Sequence, residues 1–319
     1  MNPILTLVVP CYNEEEVLGS TIERLLEVLK ELSDSGVISD ESFIFLVDDG
    51  SKDKTFEIMK HYHELYPQKV KAISFMRNFG NQKAFLAGLL EVRKYKFDCC
   101  ITIDADLQQD ETKIVEFVEK FKEGNELVYG VKIQRNDTSI VKKICAMAFY
   151  KIMNLLGAKT YPNHSEYRLV SRNLIDILSH YSENNIFLRG IFQEMSNNPA
   201  IVYYDVKKRT AGVSKFSMFD LFSLAIQGIT SFSTTPLRLV TFAGFIMSFC
   251  SFMLGISVII EKLLNLCIID VPGWATIVAA LSFIGGIQIF CIGIIGEYLG
   301  QIFVEVKARP RYIVGKTLD

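Results

Sequence analysis

The sequence predicts an α/β protein in two parts: a mostly parallel sheet with helices on both faces, then amphipathic interface helices and a C-terminal two-helix transmembrane hairpin. Three observations carry this. Four apolar runs alternate with helical patterns through the first 122 residues, as in a doubly wound parallel sheet. Each run ends in polar residues, and in such sheets ligands bind beyond the carboxyl ends of the strands. Half of the 319 residues are apolar and 22% are charged, with a mean hydropathy of +0.24, and the charge is unevenly placed. The chain up to Thr235 holds 28 basic and 31 acidic residues, the last 84 residues only 6 and 5. That distribution excludes a disordered chain, a secreted disulfide scaffold and a carrier with many spans. A net charge of −2 gives no reason to expect nucleic acid as a partner.

In chain order, the start MNPILTLVVPCYNEEE has no basic residue before its seven-residue apolar run, and carboxylates follow directly. It reads as a buried strand rather than a signal peptide. A helix is expected from Glu14 to about Leu32. FIFLVDDGS then leads into Thr55 to Leu65, VKAISF into Gln82 to Lys94, and CCITIDADLQ into Thr112 to Lys122. Two basic segments follow. Residues 132 to 159 hold six basic residues and one acid, residues 206 to 219 four and none. Apolar residues at helical spacing within and after them predict interface helices at about 139–157 and 215–233, lying on an anionic leaflet. Core packing with a solvated basic face is the alternative.

The soluble part is expected at 1–235 and the hairpin with its tail at 236–319. Leu239 to Ile260 is 22 residues without a charge and Val271 to Gly296 is 26. At about 1.5 Å per residue either crosses a hydrocarbon core of about 30 Å, so spans are placed at about 239–260 and 273–296. Arg238 on one flank and Lys307, Arg309, Arg311 and Lys316 on the other put both ends in the cytoplasm, with Trp274 at the outer interface. Small residues line single helix faces (Gly244 and Ser248, Ser251 and Gly255, Gly286, Gly293 and Gly300), which suits self-association. The seven cysteines are odd in number and lack a CxxC spacing, as expected of free thiols in a reducing compartment.

The chemistry gathers at four strand ends: Tyr12, Asn13 and Glu14, then Asp48 to Ser51, then Arg77 and Asn78, then Asp104 and Asp106. Strand alternation points Asp104 and Asp106 the same way. Paired carboxylates with no nearby His or Cys suit Mg²⁺ or Mn²⁺ completed by waters and a diphosphate; solvated acids at a strand end are the alternative. Of Asp48 and Asp49, one accepts from a nucleobase or ribose, and the other caps the helix starting near Asp53. The absence of GxGxxG and GxxxxGK[ST] leaves dinucleotide redox chemistry and a P-loop unsupported.

VVPCYNEEE, LVDDGSKDKT, RNFGNQKA, IDADLQQDE, EYRLVSR and RTAGVSKF, in this order before two spans, resemble the family 2 glycosyltransferases. Within them the chain is most similar to the polyisoprenyl-phosphate enzymes, that is bactoprenol glucosyltransferases and dolichol-phosphate mannose synthases. The resemblance implies a Rossmann-like GT-A sheet in which Pro10, Tyr12, Glu14, Val47 and Asp49 line the nucleotide pocket beside Asn13. It implies that Asp104 and Ala105 contact ribose and diphosphate, and that Asp106 is the principal metal ligand with help from Gln108. Lys132 stands where many relatives have Arg, keeping the charge but losing the planar fork. Arg209 and Lys215 would hold phosphates. Glu166 replaces an Asp that is frequent in relatives, whose proposed role is that of a base.

These likenesses imply inverting transfer of one sugar from a nucleotide donor to undecaprenyl phosphate at the cytoplasmic face of the cell membrane. UDP-glucose is the first choice of donor, with UDP-GlcNAc, UDP-galactose and GDP-mannose as alternatives. A phosphate acceptor needs no strong base, so Glu166 would orient the acceptor or a cation among Lys132, Arg168, Arg209 and Lys215. A salt bridge from Glu166 to Arg168 or Arg172 is its structural alternative. The resemblance also implies a tetramer. A processive synthase would need a QxxRW motif, and the sole tryptophan lies in a span; a non-catalytic membrane adaptor would not need the carboxylates that are present.

Overall fold

The structure is a computed structural model and describes residues 2–133, 164–184, 188–196, 199–206, 235–264 and 273–319. Both expected interface helices, the outer connection between the spans, Arg209 and Lys215 lie outside the described residues.

Four strands make the parallel centre: β1 (Leu5–Cys11), β2 (Phe43–Asp48), β3 (Val70–Phe75) and β4 (Cys99–Thr102). Their connections are α1 (Leu18–Asp34), α2 (Thr55–Leu65) and α3 (Asn81–Glu91), and α4 (Ile114–Lys122) follows β4. Beyond β4 come β5 (Leu127–Lys132), β6 (His164–Ser171) and β7 (Ala200–Tyr204), with α5 (Arg172–Leu178) and α6 (Leu188–Met195) between the last two strands. The C-terminal helices are α7 (Thr235–Leu263) and α8 (Trp274–Val306), and a last strand, β8 (Val314–Leu318), ends the chain. The eight-stranded order is β7-β5-β6-β4-β1-β2-β3-β8, with β6 antiparallel to β4 and β5 and β8 antiparallel to β3.

Side-chain alternation explains the layering. Leu5, Leu7 and Val9 pack with Leu18, Ile22, Met59 and Phe117 of α1, α2 and α4 on one face. Ile4, Val8, Phe45 and Val47 pack with α3, α5 and α6 on the other. Every residue of β1 is buried, as for a strand covered on both faces, which therefore reads as a continuous apolar run. At Gly88 of α3 a Cβ would stand 2.3 Å from Val8 Cγ1, so the helix lies directly on the sheet there.

Two sequence expectations change, and one strand is added. The first helix begins at Leu18 rather than Glu14, because the backbone N–H groups of Glu14 and Glu15 donate to Thr55 Oγ1 and Asp53 Oδ2 of the next loop and hold residues 14–17 in a turn. The fourth strand stops at Thr102, so pleat alternation is not what orients Asp104 and Asp106. The tail after α8 returns to the sheet as an edge strand. At the other end of that tail, Phe283–Val306 has a mean hydropathy of 1.7 and is the one stretch among the described residues long and apolar enough to cross a membrane; Val240–Met253 is shorter. Phe242, Phe245, Phe283, Ile289 and Phe290 on these helices are exposed, a density of apolar surface that calls for lipid or protein cover.

Candidate active site

The loops after β1 and β2 are stitched to each other. Asn13, at φ +52, donates its N–H to Ser51 Oγ (2.9 Å), and its Oδ1 accepts from Lys52 N (2.9 Å). Both carboxylates of the β2 end turn inward. Asp48 accepts from Ser51 N (2.9 Å) and Ser74 Oγ (2.6 Å), Asp49 from Phe79 N (2.6 Å) and Gly80 N (2.9 Å). Burial pushes the Asp49 carboxyl up, and those two N–H donors oppose the push. Neither aspartate caps α2; Asp53 accepts from Thr55 N (3.0 Å) instead. Gly50 between them has φ +66, and a Cβ there would stand 2.4 Å from the Arg77 carbonyl carbon. The β2 and β3 loops are therefore in backbone contact.

Asp104 and Asp106 are brought together by a turn. Gln109 grips Asp104 twice, its Oε1 accepting from Asp104 N (3.0 Å) and its Nε2 donating to Asp104 Oδ2 (2.6 Å). Leu107 takes φ +51, and Gln108 N donates to Asp106 Oδ1 (3.1 Å). Asp104 keeps part of its surface open. Burial first, then the charges of Asp106 and Glu166, raise its carboxyl to about 7 against the pull of Lys132 and Arg189. The donor set is hard oxygen, which fits Mg²⁺ or Mn²⁺. Among the described residues no group of three or more His, Cys, Asp or Glu stands together as a metal cage.

Glu166 sits inside β6, buried, and is clasped from three elements. Its oxygens meet the Arg168 guanidinium, Arg189 Nε (2.8 Å) from α6 and Gln82 Nε2 (3.0 Å) from the start of α3. Burial alone would raise its carboxyl; Arg168 and Arg189 outweigh that and hold it down at about 2. Arg168 is itself 1% exposed, with its guanidinium carbon 4.9 Å from the Phe192 ring centre. Among the described residues Arg168 Nη1 and Gln82 Oε1 have no hydrogen-bond partner, so the interior of this cluster is not saturated. Glu166 is ionised throughout the neutral range and is engaged with two cations, an arrangement that orients guanidinium groups and makes a weak base.

The other sequence candidates fall as follows. Tyr12, Glu14, Asp106 and Gln108 are partly exposed at the sheet edge, and Lys132, at the end of β5, is exposed. Val47 is fully buried and faces α3, where a Cβ on Gly88 would lie 3.1 Å from its Cγ2; its side chain belongs to the core, leaving only its backbone for a ligand. Pro10 is its register partner on β1. Ala105 is 4% exposed and its carbonyl accepts from Thr21 Oγ1 (2.6 Å). Arg172 does not reach Glu166; it lies over Phe97, with Nε 4.0 Å from Asp176. Sequence reading missed Gln82, Gln109 and Arg189. Gln82 and Gln109 stand within quoted motifs, RNFGNQKA and IDADLQQDE, which was the available signal. Arg189 had none.

Comparison with known proteins places this geometry in context. Residues 6–179 match the glycosyl transferase family 2 model and residues 235–302 the GtrB C-terminal hairpin. The chain is 44% identical over 312 residues to an uncharacterized glycosyltransferase of Bacillus subtilis (strain 168), YkoT, covering 98% of this chain and 91% of that protein. It is 36% identical over 316 residues to the SfII prophage-derived bactoprenol glucosyl transferase of Shigella flexneri, covering 98% of each. It is 35% identical over 313 residues to the prophage bactoprenol glucosyl transferase homolog of Escherichia coli (strain K12), covering 97% of this chain and 98% of that one. Glucosyl-3-phosphoglycerate synthase from Mycobacterium tuberculosis, solved with Mn²⁺ and UDP-glucose, aligns at a TM-score of 0.46 and 17% identity over 72% of this chain and 77% of that one. Since the first model spans more than half of the chain, including the turn that carries Asp104 and Asp106, and the second begins where α7 begins, the chain belongs to glycosyl transferase family 2.

Proposed function

We propose that the protein transfers one sugar from UDP-glucose to undecaprenyl phosphate at the cytoplasmic face of the cell membrane, inverting the anomeric carbon. The observation that carries the reading is the turn that gathers Asp104 and Asp106 beyond the end of β4, held by Gln109 (3.0 and 2.6 Å) and Gln108 N (3.1 Å), with Lys132 and Arg189 among the charges that act on Asp104. Such an environment favours a divalent cation together with an anionic donor. The likeness of the whole chain, hairpin included, to relatives named bactoprenol glucosyl transferases supports the acceptor and the sugar.

In this reading Tyr12, Asn13, Glu14 and Asp49 hold the nucleoside, and Lys132 and Gln108 stand beside the diphosphate. Asp104 and Asp106 hold Mg²⁺ or Mn²⁺, which when bound neutralises the diphosphate and stabilises the departing UDP. Arg209 and Lys215 take the acceptor phosphate, and Arg168, buried against Glu166, supplies positive charge from behind rather than direct contact. An acceptor oxygen, already ionised, attacks the anomeric carbon as the bond to the diphosphate breaks and UDP leaves with the electron pair. Glu166 fixes the guanidinium groups and moves no proton, since holding two anions in line is the task. Helices α7 and α8 span the bilayer, and the small-residue faces bring copies together as a homo-oligomer.

The test uses the full chain in detergent with radiolabelled UDP-glucose and undecaprenyl phosphate. Label is expected in an organic-extractable lipid, and EDTA or Asp106→Ala is expected to remove it. A water-soluble labelled product would overturn the reading. Label entering the lipid only from UDP-GlcNAc, UDP-galactose or GDP-mannose would change the sugar and keep the reaction.

A further inference from the structure

The segment after α8 closes around the loop that holds Asp49. Strand β8 pairs antiparallel with β3, and just before it the Ile313 carbonyl accepts from Met76 N (3.0 Å). Tyr312 stacks on Phe75 with ring centres 5.3 Å apart and planes at 18°, and Phe75 meets Phe79 edge-on at 5.6 Å. Phe79 N and Gly80 N are the two donors to Asp49. The Tyr312 hydroxyl donates to Glu91 Oε1 (3.1 Å) at the far end of α3, the helix whose first turn supplies Gln82 to Glu166. One residue of the tail therefore touches both ends of the Phe75–Glu91 segment. The tail is also tied down on either side of Tyr312. Arg311 Nη1 donates to the Tyr181 carbonyl (2.6 Å), Glu305 at the end of α8 accepts from Asn184 N (2.9 Å), and the Lys316 ammonium lies 4.8 Å from the Phe56 ring centre.

We infer that Tyr312 is a positioning residue of the nucleotide pocket, holding the Phe75–Gly80 turn, and through it the Asp49 carboxylate, in the geometry that receives the donor. This rests on the reading of Asp49 as a donor-binding residue. A tail that only covered the open edge of β3 would need the β8 pairing but not an aromatic stack continued to Phe79. The same tail leaves directly from α8, so one short segment joins that helix to the loop that holds Asp49.

The experiment measures UDP binding in the presence of Mg²⁺ by calorimetry, the KM for UDP-sugar and for acceptor, and the melting temperature. It compares the full chain with Tyr312→Ala, Tyr312→Phe, Asp49→Asn and the double variant Asp49→Asn with Tyr312→Ala. Tyr312→Ala is expected to weaken UDP binding and raise the donor KM by about 10–100-fold, the scale for residues that orient a binding group from behind, with the acceptor KM unchanged. Tyr312→Phe, which keeps the stack, is expected to restore both. In the Asp49→Asn background Tyr312→Ala is expected to add little, since coupled residues are not additive. If Tyr312→Ala fails to fold, Tyr312→Leu keeps the apolar cover without the ring and takes its place. A lowered melting temperature with unchanged UDP affinity, while Asp49→Asn does weaken UDP binding, overturns the inference alone. Asp49→Asn without effect on UDP overturns the reading of Asp49 and this inference with it.

Discussion

The acidic ends of β2 and β4 flank the same central strand, and both are pairs of aspartates, yet their charge is answered differently. At β2 the four oxygens of Asp48 and Asp49 each accept from a neutral donor of the protein, namely Ser51 N, Ser74 Oγ, Phe79 N and Gly80 N. At β4 the neutral donors are Gln109 and Gln108 N, and the dominant neighbours are charges: Asp106 and Glu166 pushing the Asp104 carboxyl up, Lys132 and Arg189 pulling it down. A carboxylate satisfied by fixed N–H groups organises loops. One raised to about 7 by burial first, and then by two like charges, is stabilised when a cation arrives. The β2 end is therefore framework for its loops, and in the function proposed above the metal and the diphosphate are assigned to the β4 end.

The largest expected effect separates the two ends outright. Asp106→Ala is expected to lower kcat by about 10²–10³-fold, the scale for removing one element of transition-state charge stabilisation, with the melting temperature little changed. Added Mg²⁺ or Mn²⁺ should not recover it. An Asp49→Asn variant with the same loss of metal dependence would break the comparison, because it would place the cation between the two ends.

Next in size is the support of Asp104. Gln109→Leu removes the grip on both the backbone N–H and the carboxylate, and residues that orient a metal ligand are worth about 10–100-fold in metal affinity or activity. Half-maximal activity should then require correspondingly more Mg²⁺. Equal Mg²⁺ requirements for variant and parent would show that the turn is held by Leu107 and Gln108 alone.

How legible this contrast was in the sequence depends on range. The central strands and α2, which runs from Thr55 to Leu65 as expected, are written in local apolar periodicity. Asp104 and Asp106 stand at a strand end in the sequence, but what gathers them is a turn closed by Gln109, a contact that period counting does not encode. Strand β6 carries Glu166 and Arg168 in its interior, which argues against a strand until their mutual neutralisation is seen. Arg189 and Gln82 are single polar residues on helices, and only the tertiary packing shows that both point at Glu166. Strand β8 is five residues long, VGKTL, without a marked apolar face, and lies beyond the long apolar helix α8, so nothing local pairs it with β3.

The framework role of the β2 end makes a stability prediction. Asp49→Asn turns one acceptor into a donor facing a backbone N–H of Phe79 or Gly80, and leaving such a buried group unpaired costs about 1–3 kcal/mol. Chemical denaturation should show that loss, and UDP binding should weaken, while the Mg²⁺ requirement of the remaining activity stays that of the parent. Unchanged stability would mean that the Phe79–Gly80 turn is held by Tyr312 and Phe75 without Asp49, and that the β2 end is less a framework than its hydrogen bonds suggest.

The smallest effect is one of shape, and it adds a third carboxylate to the comparison. Glu166 is answered by Arg168 and Arg189 and is held at about 2, below the value of about 4.3 for an unfolded glutamate. Its folded value is the lower one, so the stability it contributes is present above about pH 4.3 and is lost as pH falls from there towards 2. Glu166→Gln removes a charge from a buried pair and destabilises the fold at neutral pH. The gap between variant and parent should stay constant from pH 8 to 5 and narrow only below about 4.3. The same ionisation bears on catalysis: a group already charged across pH 5 to 8 contributes no limb to the rate profile there. Glu166→Gln should therefore lower kcat/KM while leaving the positions of its limbs where they are in the parent. A limb that disappears in Glu166→Gln would identify Glu166 as a proton carrier and overturn its assignment as the residue that holds the guanidinium groups in place.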